Sequence, residues 1–174
     1  MDAGNVSALT TRAKYGDKEA FGELYALIWR DLYKYALFYL GNREDAEDAV
    51  GEAVIAAYSS IYQLREPDAF KGWMYKLLSN SCKKKLKTII QGRNSLRFDG
   101  LELSYDIMSS EEMHTAAELY ESLNSLSPVE RQIILLSVVG GYKSDEIARL
   151  LHKPSGTVRS ALCRALKKLR TDFS

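Results

Sequence analysis

Apolar residues recur at spacings of three and four along most of the chain, and period-two alternation of Val, Ile and Thr is missing. Spacings of three and four place side chains on one face of an α-helix, whereas alternation is typical of strands. Only three prolines interrupt the pattern. The sequence therefore predicts an all-α fold, with helices over 6–14, 18–41, 43–63, 69–90, 112–126, 127–140, 144–151 and 155–171.

The helical pattern fails over one long stretch, between residues 91 and 111. Gly92, Asn94, Ser95, Asp99 and Gly100 accumulate there, and the local charge turns acidic. This composition is typical of a flexible connection between folded units. We therefore predict two small helical domains, 1–90 and 112–174, joined by a flexible linker over 91–111.

The predicted helix 43–63 has an apolar and an acidic face. The apolar positions follow the spacing of a buried stripe: Val50, Ala53, Val54, Ala57, Tyr58 and Ile61. Asp45, Asp48 and Glu52 fall roughly opposite, and we name these three residues the acidic ridge. Acids near a helix N-terminus also complement the helix dipole, which is the simpler interpretation. Like charges three and four residues apart repel, however, so the ridge favours a basic surface that covers it.

The predicted helix 69–90 is strongly basic. Positions 71 to 91 contain six lysines and no acidic residue. Lys76, Asn80, Lys83 and Lys87 follow i, i+4, i+7 and i+11, so they share one face. An amide can read a base edge, whereas lysine binds phosphate as a point charge. The lysines and the amide on this face therefore indicate contact with nucleic acid. The competing interpretation is that the lysines only form a solvated surface.

A helix-turn-helix is predicted near the C-terminus. Ser127 and Glu130 form a capping box with Pro128 at the first helical position. Ser144 can cap a short helix that ends near 151, residues 152–154 break it, and a second helix begins near Ser155.

The second helix of this unit has a basic outer face. Its predicted core positions are Val158, Leu162, Ala165, Leu166 and Leu169. The outward residues are Arg159, Ser160, Cys163, Arg164, Lys167 and Lys168, and no acid occurs from 154 to 170. Such a helix can enter the major groove, where arginine donates to guanine edges or phosphates.

Other chemistry is not indicated. Cys82 and Cys163 are far apart and outside any CxxC motif, and His114 and His152 are isolated. We therefore expect reduced thiols, no metal, no cofactor and no enzymatic site. No apolar run reaches the roughly 18 to 20 residues that span a bilayer, and the first residues do not form a signal peptide. The chain is expected to be cytoplasmic, without membrane insertion.

From Thr10 to Arg170 the chain resembles extracytoplasmic-function sigma factors of the sigma-70 family. Segment 45–50 (Asp-Ala-Glu-Asp-Ala-Val) with Glu52 resembles the family's region-two helix. Segment 70–76 (Phe-Lys-Gly-Trp-Met-Tyr-Lys), followed by Asn80, is similar to its Phe-x-x-Trp-Leu-Tyr-Arg segment. Segment 156–160 (Gly-Thr-Val-Arg-Ser) matches the region-four signature Gly-Thr-Val-Lys/Arg-Ser.

The resemblance assigns a role to each surface. It implies that Asp45, Asp48 and Glu52 dock on the clamp helices of the largest subunit of core RNA polymerase. It implies that the loop 63–69 and the face of helix 69–90 melt and bind the minus-ten promoter element. The residues expected there are Trp73, Lys76, Asn80, Lys83, Lys84 and Lys87. Minus-thirty-five contacts are expected from Thr157, Arg159, Ser160, Cys163, Arg164 and Lys167. A separate anti-sigma factor is an expected partner.

The sequence departs from the family pattern at a few positions. Gly51 and Ala53 stand where Gln and Thr are usual, and Ala161 stands where many members have Arg. The competing hypothesis is a self-sufficient helix-turn-helix regulator that binds DNA without polymerase. Such a regulator would need neither the acidic ridge nor a single-strand face.

Overall fold

The structure is a computed structural model that describes the backbone of residues 3–92 and 110–172 and the side chains of 4–92 and 115–171. Asn94, Ser95, Asp99 and Gly100 of the predicted linker, and the side chain of His114, lie outside the described residues. The described ranges contain no strand, which confirms the all-α prediction. The helices are α1 Ala3–Lys14, α2 Lys18–Leu40, α3 Arg43–Ser60, α4 Phe70–Gln91, α5 Ser110–Asn124, α6 Pro128–Val138, α7 Ser144–Leu151 and α8 Ser155–Asp172.

The first domain is built from α1 to α4. Helices α2, α3 and α4 pack on one another, and α1 packs against α2 and the 3-10 turn Pro67–Ala69. At the centre, the Tyr35 ring stacks on Tyr39 with centroids 6.0 Å apart and meets Tyr75 edge-on at 5.7 Å. The Tyr35 hydroxyl lies 2.9 Å from the Ser79 hydroxyl, so the buried phenol is hydrogen-bonded.

A two-residue junction, Gly41 and Asn42, links α2 to α3. α2 ends at Gly41, whose φ of 77° lies in the left-handed region that glycine adopts without strain. Asn42 then caps α3, because its side-chain oxygen accepts from Asp45 N at 3.0 Å. The junction therefore sets the orientation of α3 relative to α2, and with it the position of the acidic ridge.

The buried face of α3 is rotated from the predicted stripe. Ala46, Ala49, Val50, Ala53 and Ala57 are buried. The predicted core residue Tyr58 is instead 49% exposed and touches Phe21 edge-on at 5.2 Å. Alanines dominate the buried face because α3 lies close to α2 and α4, so the larger side chains face outward.

The second domain confirms the helix-turn-helix. α7 and α8 pack together, and α6 packs on both. The capping box forms: Glu130 N donates to Ser127 Oγ at 3.3 Å, and Ser127 N donates to a Glu130 oxygen at 3.1 Å. The predicted cap at Ser144 is wrong by one residue, because Lys143 precedes the helix and its N–H donates to Glu146 at 2.7 Å. His152 ends α7 with φ 52°.

The core face of α8 also differs in part. Val158, Ala161 and Ala165 are buried, Leu162 and Leu169 are partly buried, and the predicted core residue Leu166 is half exposed. Ala161 lies in the core, where the helix meets its neighbours, rather than on the surface that would face DNA. The absence of an arginine at that position therefore removes no base contact in this chain.

The two domains pack against each other. α2 contacts α5 and α6, and α4 contacts α6 and α7. Every residue from 130 to 136 in α6 is buried, because that helix lies between its own domain and the first one. The sequence predicted the two domains, but it did not predict this interface.

Candidate nucleic-acid interface and acidic ridge

The acidic ridge lies beside the lysines of α4. Lys85 Nζ is 2.8 Å from a carboxylate oxygen of Asp48 and 3.7 Å from one of Asp45. Lys84 Nζ is 3.9 Å from Glu52. The hydrogen bond to Asp48 is the main cause that raises the pKa of Lys85. Part of the repulsion along the ridge is therefore relieved within the chain, which sequence reasoning did not anticipate.

The ridge nevertheless keeps an outward surface. The side chains of Asp48 and Glu52 are 56% and 47% exposed, while that of Asp45 is 28% exposed. Each carboxylate has lone pairs beyond those that the lysines occupy. A second basic surface can therefore still bind here, and the docking role of the ridge stays a prediction.

Apolar side chains extend the ridge along the same helix. Ile55 lies three residues after Glu52 and is 69% exposed. Tyr58, three residues further on, is also exposed, and so is Tyr62 in the 3-10 turn Ile61–Gln63 that follows α3. Sequence reasoning placed Tyr58 in the core and left Ile55 and Tyr62 without a role. An exposed apolar patch next to charged groups is typical of an interaction surface.

The predicted minus-ten face of α4 is present. Lys76, Asn80, Lys83 and Lys87 are all exposed on one side of the helix, as their spacing requires. Trp73 is half-buried, with its ring 6.3 Å from that of Phe70. Lys84 is exposed too, but it turns toward Glu52 and so lies at the border between this face and the acidic ridge.

The first part of this face points at the second domain. Lys76 Nζ lies 3.0 Å from His152 Nε2, and Lys71 Nζ donates to Gly140 O at 2.9 Å. A cleft of about 540 Å³ opens between the domains. Its lining includes Leu64, Ala69 and Trp73 of the first domain and Tyr142, Leu150 and His152 of the second. The predicted minus-ten loop and the helix-turn-helix therefore share one cavity.

The predicted minus-thirty-five residues all lie on the outer surface of α8. The exposed set is Thr157, Arg159, Ser160, Cys163, Arg164 and Lys167. Arg159 pairs with Asp145 of α7 at 3.6 Å. Because both side chains of this pair are well exposed, the interaction is weak and a phosphate can displace the carboxylate.

Glu130 joins α6 to the basic helix. Its carboxylate lies 3.4 Å from Arg164 Nε and 3.2 Å from Lys168 Nζ, and it also accepts from Ser127. The backbone hydrogen bond from Ser127 is the first cause that lowers the pKa of Glu130 to about 2, and Lys168 adds to it. Glu130 therefore restrains the side chains of Arg164 and Lys168 on the outer surface of α8.

Other chemistry is not seen in the described ranges. Residues 3–92 and 110–172 contain no group of three metal-ligating side chains and no helix long and apolar enough to cross a membrane. Cys82 and Cys163 are both free thiols. Cys82 is buried, and this burial raises the pKa of its thiol, whereas Cys163 is exposed on α8.

Sequence reasoning missed the residues that join the two domains. Arg131 and Tyr120 are buried at the interface, and Lys71 and Tyr142 meet across it. Lys71 is part of the lysine run of α4, but its spacing in the sequence does not predict a contact with Gly140, 69 residues away. The run of apolar residues after Arg131 was the one available signal, because a helix that is apolar all round is buried on every side.

Comparison with known proteins assigns both halves of the chain. Residues 24–89 match the family model for sigma-70 region 2, and residues 116–169 match the model for sigma-70, region 4. RNA polymerase sigma factor SigV of Bacillus subtilis is 31% identical over 146 residues, which cover 83% of this chain and 86% of that protein. The ECF RNA polymerase sigma-E factor of Escherichia coli is 30% identical over 171 residues, covering 90% and 88%.

Solved structures show the same fold. CnrH, determined in complex with the cytosolic domain of CnrY, superposes with a TM-score of 0.75 at 23% identity and covers 98% of this chain and 96% of its own. RpoE of Bartonella quintana, determined with the anti-sigma factor NepR, gives a TM-score of 0.74 at 19% identity, covering 88% and 96%.

These matches span both domains, so they do not favour a regulator that resembles sigma factors only in its helix-turn-helix. The acidic ridge and the α4 face lie inside the region-2 match, and the α8 face lies inside the region-4 match. The chain belongs to the sigma-70 family of RNA polymerase sigma factors, within its extracytoplasmic-function group.

Proposed function

We propose that this chain docks on core RNA polymerase through α3, melts and holds the minus-ten element on α4, and reads the minus-thirty-five element with α8. One observation carries the proposal: two separate acid-free basic helix faces, each exposed, lie in the regions that match sigma regions 2 and 4. Domain 1–90 then acts as the docking and melting module and domain 112–174 as the duplex-reading module. The protein acts in the cytosol, and its reaction partners supply all the catalysis.

Docking uses the acidic ridge as a charged rim and Ile55 as an apolar centre. The ridge supplies complementarity to the basic clamp helices of the largest polymerase subunit, which mainly governs encounter and orientation. Ile55 is 69% exposed, so its burial on docking releases water from apolar surface. Both groups project from one helix, so a single docking event covers them.

The docking assignment is tested with a triple variant that removes charge without changing shape: Asp45→Asn, Asp48→Asn and Glu52→Gln. Its matched control is Glu19→Gln, Glu23→Gln and Glu121→Gln, three exposed acids outside α3. We expect the ridge variant to lose at least tenfold in affinity for core polymerase by surface plasmon resonance, and the control to keep its affinity. Equal affinities would contradict docking through the ridge.

Melting is assigned to α4 because an exposed amide lies between exposed lysines. A base must leave the stack at a cost of a few kcal/mol before Asn80 can bind its edge, while Lys76 and Lys83 bind the phosphates. Asn80→Ala is therefore expected to slow open-complex formation, seen by permanganate footprinting, more than closed-complex binding. A template already mismatched at the minus-ten element should recover part of the activity. Asn5→Ala, an exposed amide on α1, is the control.

The overall function is tested by transcription of genomic DNA with core polymerase, in the presence and absence of this protein, with start sites mapped. We expect a set of start sites that depends on the protein and that shares upstream elements at two positions. If core polymerase gains no start sites, the proposed function is wrong. Tight sequence-specific binding of one duplex by the isolated chain would instead support the self-sufficient regulator.

An anti-sigma factor is a further proposed partner. The support is the solved RpoE complex, whose partner is the anti-sigma factor NepR, together with the similarity of fold. The cleft between the two domains is the candidate place for such a partner, because it presents apolar side chains from both.

A further inference from the structure

A second cavity, of about 460 Å³, lies where the end of α4 meets the start of α6. Its volume falls within the range of small-molecule sites, which is roughly 300 to 1,000 Å³. It is separate from the cleft that Trp73 and His152 line. We name this cavity the α4–α6 groove, and its lining includes Tyr39, Lys83, Leu86, Lys87, Ile90 and Val129.

Most of the surface of the α4–α6 groove is apolar. Leu86 is buried, with 4% of its surface exposed, whereas Ile90 and Val129 are 56% and 40% exposed. Burial of such exposed apolar surface under a ligand releases water and is favourable. The groove therefore favours a ligand with an apolar body.

The charged groups of the groove are of one sign. Lys83 and Lys87 lie four residues apart on α4, so their side chains are neighbours on one face. No acidic side chain is among the described residues that line the groove. The nearby Glu130 is bonded instead to Ser127 and Lys168. Two ammonium groups beside apolar surface favour a ligand whose apolar body ends in an anionic head.

The surroundings of Lys83 also favour an anion. Partial burial and, after it, the nearby charge of Lys153 lower the pKa of Lys83. Both effects disfavour the charged ammonium group, and an anion beside it counteracts both. A negatively charged head group bound to Lys83 is therefore stabilised more than it would be beside a fully solvated lysine.

Tyr39 contributes an unused hydrogen-bond donor to the groove. Its side chain is 1% exposed, and its hydroxyl has no hydrogen-bond partner among the described residues. The ring is held in place, because it stacks on Tyr35 with centroids 6.0 Å apart and has the Arg131 guanidinium 5.8 Å from its centre. Burial raises the pKa of Tyr39 to about 12, so the hydroxyl keeps its proton at neutral pH. Buried hydroxyls without a partner are uncommon in folded proteins, and a ligand in the groove can accept from this one.

We propose that the α4–α6 groove is a binding site for a medium-chain fatty acid. The acyl chain packs on Leu86, Ile90 and Val129, while the carboxylate lies between the two lysines and accepts from the Tyr39 hydroxyl. At about 30 Å³ for each carbon with its hydrogens, close to the volume of a water molecule in the liquid, a ten-carbon chain fills roughly 300 Å³ and fits the groove. A carboxylate carries one charge, whereas an alkyl phosphate carries up to two and loses more hydration in an apolar groove.

Occupation of the groove has a consequence for the proposed function. Lys83 and Lys87 belong to the predicted minus-ten face, so a carboxylate bound between them takes up two groups that would bind phosphates. We expect the fatty acid to weaken transcription that depends on the protein. This consequence rests on the proposed function, whereas the binding site itself does not.

Binding is measured on the full chain by isothermal titration calorimetry with sodium decanoate. We expect one site per chain, and we expect decanol, which has the same chain without the charge, to bind about tenfold more weakly. Decyl phosphate should also bind more weakly than decanoate, because its second charge costs more to desolvate. Equal binding of decanol, or tighter binding of decyl phosphate, would overturn the assignment of a fatty-acid site.

Tyr39→Phe removes only the unpaired hydroxyl of the groove. Its matched control is Tyr33→Phe, which also removes a buried hydroxyl without a partner among the described residues but lies outside the groove. Both variants should fold with a thermal midpoint no lower than that of the parent. Only Tyr39→Phe should bind decanoate more weakly, by about fivefold. Equal affinities of the two variants would refute the site, because the site requires this donor.

The lysines are tested by the double variant Lys83→Gln and Lys87→Gln. The control is Lys18→Gln with Lys84→Gln, two exposed lysines outside the groove, so that the net charge changes equally. We expect the groove variant to lose about tenfold in affinity for decanoate and the control to lose little. Equal losses would mean that decanoate responds only to the overall charge of the chain, and the proposed site would be wrong.

The consequence for function is measured by transcription with core polymerase, where decanoate is added to the protein first. We expect decanoate to lower the transcripts of the parent about threefold and those of Tyr39→Phe much less. If both fall equally, the inhibition does not pass through the groove and this consequence is wrong. If no transcript depends on the protein in any sample, the proposed function is refuted, while the calorimetry still decides the binding site.

Discussion

Gln132 lies in the middle of α6 with 1% of its surface exposed, and neither atom of its amide finds a hydrogen-bond partner among the described residues. Burial of an unpaired amide costs about 1 to 3 kcal/mol. We therefore expect Gln132→Met, which keeps the volume, to raise the free energy of unfolding by about 1 kcal/mol in urea denaturation. Gln91→Met, at an exposed position, should change it little. A loss of stability in Gln132→Met would show that the amide is paired.

Glu130 gives the chain a stability that depends on pH. Its pKa falls to about 2 in the folded chain, from an ordinary value of 4.5, mainly because Ser127 donates to it. A carboxylate with a lowered folded pKa stabilises the fold above the unfolded pKa and loses this contribution as pH falls. The stability gap between the parent and Glu130→Gln should therefore be full above about pH 4.5 and shrink from there toward pH 2. A gap that is constant across this range would contradict the ionised capping box.

At the scale of single residues, sequence reasoning was strongest on exposed side chains. The lysines and Asn80 of the α4 set and all residues of the α8 set are exposed, whereas Trp73 is half-buried. It was weakest on Arg131 and Gln132, because an isolated polar residue carries no periodicity that separates burial from exposure. For Arg131, the surroundings include Tyr39 O of the first domain, 92 positions away in sequence.

The elements follow local chemistry closely. The capping box at Ser127 and the breaks at Gly41 and His152 set helix ends close to where the sequence places them. The buried face of α3 is rotated from the predicted one, because the apolar spacing alone does not distinguish small from large side chains. A close helix contact prefers alanine, and the larger Tyr58 is then left outside.

Gly51 is the weak position of α3. It lies inside the helix, and a Cβ there would meet nothing within 4 Å. Glycine costs a helix interior about 0.5 to 1 kcal/mol relative to alanine. Gly51→Ala is therefore expected to raise the thermal midpoint by about 1 to 4 °C, whereas Gly16→Ala, at φ 92°, should lower it. An unchanged midpoint for Gly51→Ala would mean that α3 frays around this residue in the folded chain.

At the scale of the whole molecule, two domains could be predicted but not their contact. The amphipathic faces and the composition of the linker separate the halves without indicating which surfaces meet. Arg131 reaches Tyr39 across 92 positions, and Tyr120 reaches Leu40 across 80. No periodic pattern encodes pairs at such separations.

The shared interface predicts cooperative unfolding. Because Arg131 and Tyr120 are buried between the domains, neither domain can unfold without exposing polar groups of the other. Differential scanning calorimetry of the parent should show one transition, with calorimetric and van't Hoff enthalpies that agree. Gly41→Ala should split this transition into two, because the added Cβ would overlap the Tyr120 ring at the interface. Two resolved transitions in the parent would indicate domains that unfold independently.

The junction between α2 and α3 connects the interface between the domains to the acidic ridge. Only Gly41 and Asn42 separate the carbonyls that Arg131 and Tyr120 cap from the first residue of α3, and Asn42 bonds directly to Asp45 N of the acidic ridge. Two ligands that bias one shared element influence each other by the same factor in both directions. If polymerase bound to the ridge weakens the contacts at this junction, then loss of the contacts between the domains raises the affinity for polymerase by the same factor. Any change that strengthens those contacts would lower that affinity.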